Sequence, residues 1–464
     1  MQQQEVIIDE SRFYANPYAL PLPNSNDDPP WTKEQCQNIA IDLLERSTKS
    51  YKQWRRQDRR LTLGSLYVGS LGLHVYLNWK LARLMFSTDP RRAQSYVQRA
   101  KVSLRNEFDY FDSKIQMSTP RQQLLRGRVT LLEGSYVGVQ VLHSVLLYQF
   151  EDCDKNAQDV ITRQKRQDLA LKQANDLVEF LYEECRANLS PTECEVLYGR
   201  AGVLQVIFCL RHELQKDLLA TEIVVALAKE ILEEGIRCAG ECQRLYPGRR
   251  LPPLLWVWHD SLYLGAAHGV VGILHTLLSL APSEMEQLNQ THDISQLIRK
   301  TIDFLNNDFC YASGNLQSSI KFDGGDQKRT KAKKDRLVHW CHGATGHVLL
   351  LVKAYKIYNG AQYLVRAKEI AVNVLWKRGL LRKGVGLCHG IAGNAYGFLA
   401  IAQCENNDAF RKMAVCFAKF AIDHLDELEG VPDAPYSLYE GMAALCALVM
   451  DLANPSQSHF PMYY

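Results

Sequence analysis

Trp340-Cys341-His342-Gly343-Ala344-Thr345-Gly346 and Leu387-Cys388-His389-Gly390-Ile391-Ala392-Gly393 are two versions of one phrase. Each sets a Cys-His pair before a glycine and a second glycine three residues on. Apolar sequence follows, Val348 to Val352 in the first and Phe398 to Ala402 in the second. Glycine lets a backbone turn tightly and approach another chain closely, so each phrase reads as a turn that opens a buried helix. The same glycine pair opens apolar segments at Gly69-Ser70-Leu71-Gly72, Gly199-Arg200-Ala201-Gly202 and Gly269-Val270-Val271-Gly272. Degenerate copies stand at Gly134 to Gly138 and at Gly441-Met442-Ala443-Ala444. Seven units result, spaced by roughly 45 to 75 residues, enough for a helical hairpin and a loop each. Regular repetition without polar terminal caps predicts an all-α fold in which the hairpins close into a ring, an α/α barrel or toroid, rather than an open solenoid. The glycine pairs permit close helix approach and are expected to leave unpaired N–H groups pointing inward. In the first three copies they read as packing devices only.

The totals agree with one large closed fold. The chain has 464 residues, 47% hydrophobic and 23% charged, with a net charge of +3. That balance argues against a general nucleic-acid binder, which carries a strong basic excess. No apolar run reaches the roughly 18 residues of a membrane span; the longest, Gly269 to Leu280 and Gly346 to Val352, are short and contain His or Gly. The opening MQQQEVIIDE lacks the pattern of a secretory signal, and Gln2 excludes ordinary N-myristoylation. Thirteen cysteines, an odd number scattered singly, then predict reduced thiols in a cytosolic protein with at most peripheral membrane contact. Cys209, Cys416 and Cys446 lie inside apolar stretches and read as small buried hydrophobes. Cys341 and Cys388 differ, because each stands beside a His at a glycine turn.

Residues 1–30 are polar and proline-bearing and predict an extended arm; residues 31–464 form the barrel domain. Cys36 to Leu44 predicts a first amphipathic helix, with Cys36, Ile39, Ala40 and Leu43 on one face. Lys49 to Arg60 reads as a solvated basic loop. So does the insertion Asp323 to Arg336, which carries Lys328, Arg329, Lys331, Lys333, Lys334 and Arg336, a contact to acidic lipid or a phosphorylated partner being the weaker alternative for both stretches.

Cys341, Cys388 and His389 are candidate zinc ligands. On a regular helix the adjacent Cys388 and His389 would diverge by about 100°. At a glycine turn they can converge, and ring closure brings Cys341 from the preceding repeat. Two thiolates and one imidazole leave the fourth tetrahedral position open, as in a catalytic rather than a structural zinc site. Such a zinc generates hydroxide poorly and suits an incoming thiol, whose pKa the metal lowers. Spacing alone leaves a second reading open, two buried cysteines and a satisfied histidine.

Gly265-Ala266-Ala267-His268-Gly269, Val338-His339-Trp340-Cys341-His342-Gly343 and Gly384-Val385-Gly386-Leu387-Cys388-His389-Gly390 resemble the lanthionine synthetase C-like (LanC-like) proteins, more specifically their eukaryotic members. The resemblance runs from Asn16-Pro17-Tyr18 to Phe460-Pro461 and includes Leu197-Tyr198-Gly199-Arg200 and Ser437-Leu438-Tyr439-Glu440-Gly441-Met442. It implies a seven-unit toroid with one zinc ion on Cys341, Cys388 and His389. His268 is implied as the catalytic histidine, a proton donor to the carbanion or enolate formed when a thiolate adds to an alkene. Glutathione contacts are implied at Lys383 and Asp433, and an anion-binding arginine at Arg12. Those two cations suit a tripeptide with two carboxylates and a phosphoryl leaving group. The implied activity adds the glutathione thiol to dehydroalanine or dehydrobutyrine, formed from phosphoserine or phosphothreonine in proteins or peptides.

Three departures accompany the resemblance. Gly430 stands where relatives carry an arginine, which weakens the expected grip on glutathione. Glu133-Gly134-Ser135-Tyr136 lacks the Cys-Gly-Asp of many relatives, and Ala444 replaces a usual glycine. The first two motivate a rival expectation, a non-catalytic glutathione- and zinc-binding adaptor in signalling or at membranes.

Overall fold

The computed structural model describes residues 7–19, 31–57, 65–116, 128–150, 160–290, 293–321, 334–405 and 408–464. Its principal helices in chain order are α1 (Lys33–Gln57), α2 (Leu77–Met85), α3 (Pro90–Gln116), α4 (Ser135–Gln149), α5 (Val160–Asn188), α6 (Arg200–Leu214) and α7 (Thr221–Leu245). They continue with α8 (Val270–Leu277), α9 (Pro282–Leu288), α10 (Ile294–Asp308), α11 (Ala344–Tyr358), α12 (Ala361–Ile370), α13 (Ile391–Ala402), α14 (Asp408–Asp423) and α15 (Met442–Leu452). A π-helical turn, Gly72–Tyr76, leads into α2.

Seven of these, α2, α4, α6, α8, α11, α13 and α15, form the inner ring. They are apolar on nearly every face, as helices buried on all sides must be; every residue of α15 is buried, and α6 leaves only His212 exposed. Packed outside them are amphipathic helices such as α1. It buries Cys36, Ala40, Leu43, Leu44, Ser47 and Tyr51 along one stripe and lies against α15, so the two ends of the domain close the circle.

Hydrogen bonds to main-chain carbonyls at one end of the ring record the closure. The residue two places before each leading glycine is Tyr67, Leu132, Leu197, Ala267, Cys341, Cys388 or Tyr439. Tyr67 N–H donates to the Leu132 carbonyl at 3.0 Å, and the Thr130 hydroxyl donates to that of Leu197 at 2.5 Å. Val196 N–H reaches Ala267 at 3.2 Å, Ala267 reaches Cys341 at 3.5 Å, and Cys341 reaches Cys388 at 3.3 Å. Cys388 N–H reaches Tyr439 at 2.7 Å, and Tyr439 returns to Tyr67 at 3.2 Å. Seven turns are thereby tied into one circle.

The second glycine of each pair makes this geometry possible. A Cβ added at Gly202, Gly272, Gly346 or Gly393 would stand 1.9 to 2.5 Å from the carbonyl oxygen six residues earlier. No side chain fits there. Gly343 adds a second requirement, a φ of +124° that L side chains rarely adopt.

Four expectations change. The first-turn amides are not left unpaired. Ile391 N–H donates to Gly384, Val271 to Leu264 and Met442 to Pro435, so the pre-glycine turns satisfy them. The stretch from Lys49 to Gln57 is helical, because the apolar stripe of α1 runs on through Tyr51; residues 58–60 lie outside the described residues. The arm is extended but docked: strand β1 (Ile7–Ile8) pairs in parallel with β4 (Lys334–Asp335), and Tyr14 N–H donates to Leu380 at 2.7 Å. The end of the basic insertion is therefore structured too. Asp335 is buried in an ion pair with Arg378 at 2.8 Å, whereas Lys328, Arg329, Lys331 and Lys333 fall outside the described residues. A second small ladder pairs β2 (Leu262–Tyr263) with β3 (Ser319–Ile320). Among the described residues no helix is long and apolar enough to cross a membrane.

Candidate metal centre and cleft

The circle of turns places the residue before each leading glycine in a second, neighbouring ring: Val68, Glu133, Tyr198, His268, His342, His389 and Glu440. Cys341, Cys388 and His389 meet where two adjacent turns touch. Their ligand atoms all lie within 4.8 Å of one another. Bonds of about 2.3 Å to sulfur and 2.0 Å to nitrogen set tetrahedral ligands roughly 3.5 to 3.8 Å apart, so small shifts close the set around one ion. The donor set also fits zinc chemically. Burial pushes the Cys388 thiol well up, and Cys341 beside it adds to this. A buried dication would reverse that balance and hold both sulfurs as thiolates.

Neighbours fix the ligands in place. Trp340 is fully buried and packs on Tyr439, Phe460 and Tyr463, with ring centroids 5.3, 5.5 and 5.3 Å away. Such pairs contribute about 0.5 to 1.5 kcal/mol each beyond area burial. They anchor the residue next to Cys341. The Tyr67 hydroxyl lies 2.7 Å from Cys388 Sγ. Burial, followed by the charges of the two sulfurs, holds that phenol well above its ordinary pKa, so it remains a donor. Burial pulls His389 down, but its hydrogen bond with Cys388 and the sulfur's charge carry it above its ordinary value.

His268 stands two turns from His389. Its Nδ1 lies 2.8 Å from Oε2 of Glu195, a buried carboxylate from the preceding repeat. Glu195 is itself fixed by the N–H groups of Leu197, at 2.8 Å, and Tyr198. The imidazole stacks on Trp258 at 3.8 Å with planes 3° apart. Nδ1 toward Glu195 leaves Nε2 for a substrate. His342 bridges the two halves of the site, its ring 6.4 Å from that of His268. Burial, then repulsion from His268 and His389, pushes His342 down to about 4.

The cationic residues gather on the other side. Arg12 reaches this end through the docked arm, its carbonyl accepting from Arg382 N–H at 3.1 Å. Lys383 is exposed on the turn before Cys388. Burial holds His339 well down, and the charges of His389, Lys383, His342 and Arg12 add to the effect. Asp433 is exposed on a turn whose Pro432 packs on Gly384, next to Lys383. A Cβ at Gly430 would meet nothing within 4 Å. All seven candidate residues thus fall at one end of the ring.

Sequence reading missed Glu195, Tyr67 and Trp258. Tyr67 was legible in principle, since it holds the register position of Cys341 and Cys388. Nothing in the sequence pairs Glu195 with a histidine in the next repeat.

The fold and the site together define a class, a toroid of seven helical hairpins with a Cys-Cys-His cluster and a carboxylate-bound histidine at one end. Residues 62–464 match the family model described as lanthionine synthetase C-like protein, and the chain belongs to that family. It is 32% identical over 275 residues to glutathione S-transferase LANCL1 of Danio rerio, covering 58% of this chain and 61% of that one. It is 31% identical over 273 residues to LanC-like protein GCL1 of Arabidopsis thaliana, covering 58% of this chain and 57% of that protein. The aligned part is thus about three-fifths of each relative's length. Nisin cyclase shares the fold, with a TM-score of 0.57 at 16% identity over 90% of this chain and 95% of that one.

Proposed function

We propose that this chain is a zinc-dependent enzyme that adds the thiol of glutathione to dehydroalanine or dehydrobutyrine residues in proteins or peptides. The observation that carries the reading is the meeting of Cys341, Cys388 and His389 beside the Glu195–His268 pair. Zinc held by those three residues supplies a Lewis acid that makes a thiolate available at neutral pH. Lys383 and Arg12 attract the carboxylates of glutathione and the phosphate of a phosphorylated precursor. Asp433 offers an acceptor to the ammonium group of glutathione.

Addition forms one S–Cβ bond, breaks the Cα=Cβ π bond and leaves a carbanion, or its enolate, that needs a proton at Cα. His268 delivers it through Nε2 while Glu195 holds Nδ1 and stabilises the charged ring. The preceding elimination runs the other way: a base takes the Cα proton, and the Cβ–O bond breaks as phosphate leaves. His268 can serve in both directions. Support for glutathione comes from the Danio rerio relative, a glutathione S-transferase by name; Gly430 and Ser135 favour the adaptor as the second reading.

Mass spectrometry of a dehydroalanine peptide incubated with zinc-loaded protein and glutathione separates the two. The enzyme reading expects a thioether adduct that Cys388→Ala abolishes. Tight glutathione binding by calorimetry without turnover on any dehydrated peptide would establish the adaptor instead.

A further inference from the structure

Between α1 and α3 lies a groove of about 1090 Å³, floored by the start of the first inner helix. Lys49, Lys52 and Arg55 line it from α1, at intervals of three residues that keep them on one side of a helix. Arg99 lines it from α3, its guanidinium 5.1 Å from the Tyr96 ring centre. Among the described residues none of these four has an ion-pair partner. The acidic neighbours are few. Glu45 lines the groove on α1, and burial pushes the nearby Glu107 up to about 7, with Arg55 drawing it down.

The floor is polar and incompletely satisfied. Tyr51 and Asn78 line the groove, and the buried Tyr51 hydroxyl and Asn78 Oδ1 have no hydrogen-bond partner among the described residues. Buried polar groups without partners cost free energy, which a ligand or water recovers. Burial, then the charges of Lys52 and Arg55, pushes His74 down to about 4, so the floor is neutral beneath cationic walls. A merely solvated helix face would neither curve into a trench nor place such groups beneath its lysines.

The groove also communicates with the proposed cleft. Tyr51 and Trp54 pack on Tyr436 with ring centroids 6.2 and 5.7 Å away. Tyr436 belongs to the turn that runs from Asp433 to Glu440. Arg46 ties α1 to the segment before that turn through Asp426 at 2.7 Å and Glu429 at 2.8 Å.

We propose that this groove docks a phosphorylated, acidic segment of the protein substrate and holds it beside the catalytic end of the ring. A phosphoryl group brings nearly two negative charges and three acceptor oxygens, which match arginine forks and lysine ammoniums. A bilayer is a poorer match, because it needs cations on a protruding face beside apolar side chains, and here they line a recess with a polar floor. The proposal rests on the enzymatic reading only for the purpose of docking, since binding is measured without turnover.

The test is fluorescence anisotropy with a labelled peptide bearing two phosphoserines among acidic residues, and with its unphosphorylated twin. Wild-type protein, the K49E/K52E double variant and R99E are compared at two salt concentrations. The expected result is binding of the phosphopeptide at least tenfold tighter than the twin, weakened by salt and by at least tenfold in each variant. Zinc content should stay at the wild-type level in both variants, which excludes misfolding. Thioether formation on a short uncharged dehydroalanine peptide should also persist. Equal phosphopeptide affinity in wild type and both variants overturns the proposal. So does a wild type that ignores the phosphopeptide yet binds phosphatidylserine vesicles. Absence of any thioether with docking intact counts against the enzyme and not against the groove.

Discussion

Glu195 Oε2 and His268 Nδ1 lie 2.8 Å apart although the two residues belong to successive repeats. The carboxylate is buried and immobilised by backbone amides, so it fixes both the tilt of the imidazole and the nitrogen that faces outward. Glu195→Gln keeps the shape and removes the charge. Thioether formation should fall by about 10- to 100-fold, with zinc content and the KM for glutathione unchanged. Steady-state kinetics with metal analysis checks this, and an equal loss of zinc would show a structural role instead.

Tyr67 donates toward Cys388 Sγ at 2.7 Å. Groups that hydrogen-bond a metal ligand orient it and tune its charge, and their loss typically costs 10- to 100-fold in affinity or activity. Tyr67→Phe should therefore fold normally and bind zinc about tenfold or more weakly. A chelator competition titration measures the difference.

The glycines are not interchangeable. A Cβ at Gly265 would stand 1.9 Å from the carbonyl oxygen of Cys341, whereas one at Gly240, exposed on α7, would meet nothing within 4 Å. Gly265→Ala should push the two turns apart, destabilise the fold by about 1 to 3 kcal/mol or more and reduce zinc occupancy. Gly240→Ala should stabilise it by about 0.5 to 1 kcal/mol. Denaturant titrations of both variants decide the matter.

These glycines also explain how much the sequence disclosed. These positions are where main chain meets main chain, so the pattern located the starts of six inner helices, the π-helical turn that leads into α2, and the contact of Cys341 with Cys388. The adjoining register carried Tyr67 as well. Glu195 was invisible because its partner is set by ring closure across 73 residues, not by local spacing. The stretch from Lys49 to Gln57 misled because its charges line the groove against α3 while Tyr51 continues the buried stripe of α1.

Gly430 leaves room for a longer side chain, with nothing within 4 Å of a built Cβ. An arginine at this position should fit without strain and place a cation close to the Asp433 turn. Gly430→Arg is expected to lower the KM for glutathione severalfold and leave the thermal midpoint within about 2 °C. Kinetics at varied glutathione and one thermal scan check both.

Burial pushes Glu107 up to about 7 from an ordinary 4.5, with nearby Arg55 opposing the shift. Between those values the folded chain keeps a proton that the unfolded chain has released, so stability falls as pH rises from about 4.5 to about 7. Glu107→Gln removes this contribution. The variant should be more stable than wild type by about 1 to 3 kcal/mol at pH 8, with the gap closing by pH 4.5. Unfolding curves at the two pH values test the sign.

Zinc K-edge X-ray absorption on the purified protein bears most directly on the whole account. Cys341, Cys388 and His389 together require a shell of two sulfurs at about 2.3 Å with the remaining light-atom ligands at about 2.0 to 2.1 Å. On addition of glutathione the shell should change to three sulfurs. An all-sulfur site in the resting protein, a site of nitrogen and oxygen alone, or a spectrum unmoved by glutathione would contradict it.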